Sequence, residues 1–264
     1  MPGFSPRGVP RRVKADYAVA MATPDDQTRD HESWFRPGGN DAVPGFLTDA
    51  SARAVAALLS HQLDHGIKGN LAEIGTYKGK TFVGLMKAAR EEEIVVGFDL
   101  FPQDVETGFR AAVALLSPTQ QARVVAVRKD TLELTTLEWM GHLRQPARFV
   151  HIDGGHGRAA IVSDLQIAAA FLTPRALVVL DDFLHDWYPD LTEGMIEGLR
   201  ASRNLVPVAV IPRLGPPQGG GSKLVCATRD GADEYRTMLG ALFQDKRPSM
   251  RRLAGGDVLT FQGF

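Results

Sequence analysis

The sequence is poor in cysteine, in charge imbalance and in long apolar runs. Its single cysteine, Cys226, excludes a disulfide within these 264 residues and fits a reducing compartment. Thirty basic against 31 acidic residues give a formal charge of −1, without the basic excess usual in nucleic-acid binders. No stretch approaches the roughly 20 apolar residues that a membrane span needs. The basic start (Arg7, Arg11, Arg12, Lys14) is followed by polar residues where a signal peptide would need an apolar core. These absences lead us to expect a soluble, cytoplasmic protein with no nucleic-acid or membrane partner. A homodimer is the base expectation for a soluble enzyme of this size.

What is present is an alternation of apolar strands and helical segments. Residues 1–45 are rich in Pro, Gly and charge, with Trp34 and Phe35 as isolated aromatics, and read as a flexible N-terminal arm or lid. Residues 46–264 read as a single domain. A helix is expected at 49–65, where Ala, Val and Leu recur at helical spacing. Strands are expected at 71–75, 94–99, 123–127, 149–153 and 177–181, with helices such as 81–92 and 158–171 between them. Continuous apolar strands separated by helices predict a mostly parallel sheet covered on both faces. Beyond residue 182 the alternation stops. A helix near 195–200, strands at 206–211, 223–228 and 258–262, a glycine-rich loop at 216–221 and a helix at 232–242 are expected there.

Parallel α/β sheets bind ligands beyond the carboxyl ends of their strands. Two strands end there in acids and histidines: Phe149-Val-His-Ile-Asp-Gly-Gly-His156 and Leu177-Val-Val-Leu-Asp-Asp-Phe-Leu-His185. Asp153, Asp181 and Asp182 would converge on one pocket, with His156 and His185 beside it. Three oxygen ligands and an imidazole suit a hard divalent cation next to a general base. Both aspartates of the adjacent pair can face one ion only if the chain turns at the strand end, since neighbours on a strand point to opposite faces. His151, inside its strand, reads as a core or supporting residue. His151-Ile-Asp153 also spells half of a non-haem iron triad, although the Asp181–Asp182 pair favours a harder metal.

Leu71-Ala-Glu-Ile-Gly-Thr-Tyr-Lys-Gly-Lys-Thr81 is a strand, a glycine turn and a helix start. It lacks the spacing of the dinucleotide fingerprint, and its glycines are too close for a P-loop. Glu73, inside an apolar strand, is costly to bury without a partner or ligand. The spacing Glu-x-Gly-x-x-x-Gly resembles the first motif of class I S-adenosylmethionine-dependent methyltransferases. That resemblance covers residues 70–185. It implies a Rossmann-like class I methyltransferase fold and S-adenosylmethionine as cofactor, held by Glu73, Gly75, Thr76, Gly79, Thr81, Asp99, Asp130 and Asp153. Asp99 would accept hydrogen bonds from the ribose hydroxyls and Asp130 would flank the adenine.

Ile152-Asp-Gly-Gly-His156 followed by Leu180-Asp-Asp-Phe183 resembles the metal-dependent sugar O-methyltransferases, the group labelled rhamnosyl O-methyltransferase or cephalosporin hydroxylase. The resemblance implies methyl transfer to a saccharide hydroxyl with Mg²⁺ or another divalent cation on Asp153, Asp181 and Asp182. His185 would be the base and His156 its competitor. Trp187, Tyr188, Trp34, Phe35 and Tyr77 are candidate walls for a sugar. The alternatives are a catechol-type aromatic O-methyltransferase, a metal-dependent hydrolase or hydroxylase on a related scaffold, and a non-catalytic binding protein.

Overall fold

The computed structural model describes residues 29–213 and 220–264. Residues 1–28 of the expected arm, and 216–219 of the glycine-rich loop, lie outside the described residues. Nine strands form one sheet: β1 (Asn70–Ile74), β2 (Val95–Asp99), β3 (Val124–Arg128), β4 (Ala147–Ile152), β5 (Leu172–Phe183), β6 (Leu205–Ile211), β7 (Ser222–Thr228), β8 (Pro248–Leu253) and β9 (Gly256–Phe261). Their order is β3-β2-β1-β4-β5-β7-β6-β9-β8. The first five strands run parallel, and β7 is antiparallel to both β5 and β6. The order reverses at β1, which puts a ligand crevice beyond the ends of β1 and β4.

Successive side chains on a strand point to opposite faces. On one face Leu71, Phe149, Leu177, Val179, Val225 and Ala227 meet α2 (Asp49–Asp64), α3 (Lys80–Ala88), α4 (Gln103–Val113) and α9 (Ala232–Leu242). On the other Ala72, Ile74, Phe98, Val150, Ile152 and Leu180 meet α6 (Thr136–Leu143), α7 (Arg158–Ala169) and α8 (Pro189–Ala201). The remaining helices are short: α1 (Asp30–Phe35) and α5 (Pro118–Gln121). Burial of both faces explains why the central strands read as unbroken apolar runs.

Within the expected arm, α1 is packed on the domain. Trp34 Nε1 donates to the Lys80 carbonyl at 2.9 Å. The Phe35 ring fills the space beside Gly84 so closely that a Cβ there would lie 2.2 Å from it. These two aromatics therefore belong to the core between α2 and α3, rather than to the wall of a sugar site.

His31 of α1 is 1% exposed and bonds Ser60 Oγ at 2.9 Å. Burial lowers its pKa from 6.5 to about 4. A buried imidazole held neutral stabilises the fold fully above its unfolded value of 6.5, and that contribution is lost as pH falls toward 4. The loss amounts to about 3 kcal/mol at one pKa unit per 1.36 kcal/mol. We expect the denaturation midpoint to fall across this window and the fall to be shallower in His31→Leu.

The C-terminal hairpin was only half anticipated. β9 matches the expected strand, but its partner β8 (Pro-Ser-Met-Arg-Arg-Leu) is an exposed edge whose charges hide the strand pattern. The two join through Ala254 and Gly255, both at positive φ (48° and 85°), as tight hairpin turns require.

Candidate active site

The carboxyl ends of β1, β2, β4 and β5 open into a cavity of about 570 Å³. Glu73, Gly75, Thr76, Thr81, Asp99, Asp130 and Asp153 of the expected cofactor set line it, as do His156, Asp181 and Asp182. Gly79 does not. It caps α3 at φ 87° with the Phe109 ring against its back, so its job is to start the helix. Gly75 has φ 79°, and a Cβ there would fall 1.9 Å from the Asp153 carbonyl. Only glycine lets the β1 and β4 strand ends approach so closely at that angle.

Asp99 is fixed by backbone donors: Tyr77 N–H donates to one carboxylate oxygen at 2.9 Å and Phe101 N–H to the other at 2.8 Å. Each oxygen retains capacity for a further bond toward the cavity. Asp130 accepts from Leu132 N–H at 3.0 Å and caps a short turn while facing the same space. Glu73 Oε2 and Thr76 Oγ1 are buried, line the cavity and have no hydrogen-bond partner among the described residues. Orphaned polar atoms on a cavity wall are what a polar ligand would satisfy.

One face of the sheet turns from apolar to charged toward the cavity. Leu71 gives way to Glu73, Phe149 to His151, Val179 to Asp181 and Val225 to Lys223, each two residues along its strand. Glu73 and His151 are register partners, joined through Oε1 and Nδ1 at 2.8 Å. Lys223 Nζ donates to His151 Nε2 at 3.1 Å and to Asp181 Oδ2. Because Nε2 accepts from the ammonium, the neutral imidazole carries its proton on Nδ1 and donates it to Glu73. Burial, with the Lys223 charge, pushes the His151 pKa well down. Burial, with the nearby Asp153 charge, pushes Glu73 well up. Both His151 nitrogens are thus engaged within the core, so the His151–Asp153 half-triad for iron is not assembled.

The pair at the end of β5 is split by a turn. Asp182 has φ 58° and Leu184 φ 58°, and Asp181 Oδ1 accepts from Asp182 N–H at 2.9 Å. Asp181 accepts from Lys223 through Oδ2 and bonds the Asp153 side chain, whereas Asp182 swings toward β4. His156 Nε2 lies 3.0 Å from Asp182 Oδ2. Ligand atoms of Asp153, His156 and Asp182 all fall within 4.8 Å of one another. Burial pushes the Asp182 carboxyl up, but the bonds from His156 and the Gly221 amide hold it below its usual range. The hydrogen bond to Asp182 raises the His156 pKa, and burial opposes it. Burial, reinforced by the Asp181 charge, pushes Asp153 well up.

His156 is stacked on Tyr188 with ring centroids 4.4 Å apart. His185 is 4% exposed, accepts from Trp187 N–H through Nδ1 at 3.1 Å and is not part of the cavity wall. Tyr77 lines the cavity, and Trp187 is exposed outside it. Sequence reasoning missed Phe46, which stands 67% exposed at the rim, and Lys223. Lys223 did carry a signal, since a lysine within an apolar strand needs a buried partner.

Residues 72–183 match the model of a methyltransferase domain. Three solved structures resemble the fold over two thirds or more of this chain. An O-methyltransferase from Bacillus cereus, solved with S-adenosylhomocysteine, is 15% identical with a TM-score of 0.55, covering 81% of this chain and 96% of that one. TomG from Streptomyces achromogenes, an O-methyltransferase of tomaymycin synthesis solved with S-adenosylmethionine, is 16% identical with a TM-score of 0.52 over 80% and 94%. CalS11, a TDP-rhamnose 3'-O-methyltransferase of calicheamicin biosynthesis, is 17% identical with a TM-score of 0.50 over 67% and 79%. No curated protein matches the chain. The sheet order, the crevice and the likeness to these structures give the chain the fold of the class I methyltransferases.

Proposed function

We propose that the protein is an S-adenosylmethionine-dependent O-methyltransferase acting on a hydroxyl of a saccharide. The observation that carries this reading is the meeting of Asp153, His156 and Asp182 at one end of a cavity whose other walls fit the cofactor. S-adenosylmethionine, when bound, supplies a methyl group activated on sulfur. Asp99 and Asp130 would hold its ribose and adenine, and Glu73 Oε2 and Thr76 Oγ1 offer further polar contacts at Gly75. TomG and the Bacillus cereus enzyme, both solved with the cofactor or its product, support this assignment.

An alcohol is a weak nucleophile at neutral pH until its proton has somewhere to go. With Nε2 donating to Asp182, His156 has Nδ1 left to take that proton, and the adjacent carboxylate stabilises the imidazolium formed. His156 is the better candidate base because it lines the cavity, which His185 does not. Asp153 and Asp182 would hold a divalent cation, which when bound would lower the pKa of the acceptor hydroxyl. Asp181 also lines the cavity and bonds the Asp153 side chain, with its Oδ2 accepting from Lys223, so its other oxygen is available to the same ion. In its present role Lys223 places a fixed positive charge beneath the acidic cluster. Positioning of acceptor and methyl in line accounts for the remaining acceleration.

The saccharide rests on the resemblance to the sugar O-methyltransferases and on the likeness to CalS11. An acceptor panel tests it. With labelled cofactor we expect transfer to nucleotide-linked deoxysugars or to saccharides, and loss of activity on chelation. Transfer to catechols and to no saccharide would replace the sugar reading with the aromatic one.

A further inference from the structure

A second cluster of metal-ligating side chains lies away from the methyltransferase cavity, where the end of α2 meets the start of α9. His61 lies in the last turn of α2 and His65 caps its C-terminus, one turn further on, where its N–H bonds the His61 carbonyl at 3.0 Å and brings the two rings together. Glu234 of α9 faces them: its Oε1 is 2.6 Å from His61 Nε2 and 4.0 Å from His65 Nε2. The three ligand atoms lie within 4.8 Å of one another. We propose that His61, His65 and Glu234 form a binding site for one borderline divalent cation of the Zn²⁺ class.

The supporting bonds are already in place. His65 Nδ1 is 2.9 Å from the His61 carbonyl. A carbonyl only accepts, so Nδ1 carries the proton and Nε2 keeps the lone pair that faces Glu234. A backbone carbonyl fixing the outer nitrogen is the usual support of a metal-bound histidine. On the other side, Arg175 Nε donates to Glu234 Oε2 at 2.9 Å and its NH2 to Oε1, which fixes the carboxylate.

The groups are in the states that a metal needs. Burial lowers the His61 pKa, favouring the neutral ring. Burial raises Glu234, but Arg175 and His61 hold it below its usual range, favouring the carboxylate. A cation entering between His61 and Glu234 displaces the proton on His61 Nε2, which the neutral ring retains on its other nitrogen. Two imidazoles and one carboxylate suit Zn²⁺ better than Mg²⁺ or Ca²⁺, and they leave a fourth position for water.

The side chain of His65 is 45% exposed, which gives the ion a way in, while that of His61 is only 5% exposed. The site would tie the helix that precedes the methyltransferase domain to a helix that follows it. Arg175 orients the carboxylate, and because its charge opposes an incoming cation the two imidazoles supply most of the affinity.

The test uses the full chain carrying Asp153→Asn and Asp182→Asn, which takes two of the three candidate ligands out of the cavity cluster. Calorimetric titration with Zn²⁺ is expected to show one ion per chain, with a rise in the melting temperature. Adding His65→Ala should lower Zn²⁺ affinity by more than about tenfold and remove that rise. Co²⁺ should give tetrahedral visible absorption only while His65 is present. An unchanged far-ultraviolet circular dichroism spectrum of the His65→Ala chain would show that its fold is intact. Equal Zn²⁺ affinity and equal thermal stabilisation with and without His65 would overturn the proposal.

Discussion

We expect replacement of the proposed base, His156, with alanine to lower the turnover number about 10²- to 10⁴-fold, the usual contribution of a positioned general base. The affinity for S-adenosylhomocysteine should be unchanged, because His156 stands beside Asp182 and Tyr188, at the end of the cavity proposed for the acceptor. His185→Ala is the matched control. Its ring packs against Trp187 and Tyr188 outside the cavity wall, so its removal should act on stability more than on turnover. Single-turnover methyl transfer separates the two cases. A full loss of rate in His185→Ala, with His156→Ala active, would reverse the assignment of the base.

The second large effect concerns stability. Arg148 is fully buried in β4 and bonded to both oxygens of Glu93 at 2.9 Å, to Gln62 Oε1 at 2.7 Å and to the Ala88 carbonyl at 2.9 Å. Arg90 adds a bond to Glu93 at 2.8 Å. Glu93→Gln leaves the Arg148 charge without its counterion in the core, which costs about 3–5 kcal/mol. Chemical denaturation measures that loss.

Burial pushes the Glu93 carboxyl up, but the bonds from Arg148 outweigh it and hold its pKa below 4.5. Its contribution is therefore present above the unfolded value of 4.5 and lost as pH falls through the lower folded one. The wild-type protein should lose stability in this acid range, and Glu93→Gln should lack that component. Glu93→Gln stability within about 1 kcal/mol of wild type would contradict the pairing.

The parallel half of the sheet was legible because its strands are buried on both faces and so spell apolar runs between helices. The acids at their ends were legible for the same reason, standing out at the boundary of each run. Other features were hidden by physical causes that a linear reading does not carry. β8 is an exposed edge rich in arginine, and α1 seemed part of a polar arm although Trp34 and Phe35 anchor it in the core.

The partner of Asp181 depends on the antiparallel register of β7, which brings Lys223 alongside from a distant part of the chain. The meeting of His156 with Asp182 depends on the left-handed turn at Asp182 and Leu184, which carries the carboxylate toward β4. Neither residue type nor spacing announces that turn.

Calorimetric titration of S-adenosylhomocysteine into the full chain tests the central claim most directly, because it does not depend on the acceptor. The account predicts one-to-one binding in the micromolar range, weakened at least about tenfold in Asp99→Ala through loss of charge-assisted bonds to the ribose. A folded protein that takes up no S-adenosylhomocysteine would contradict it.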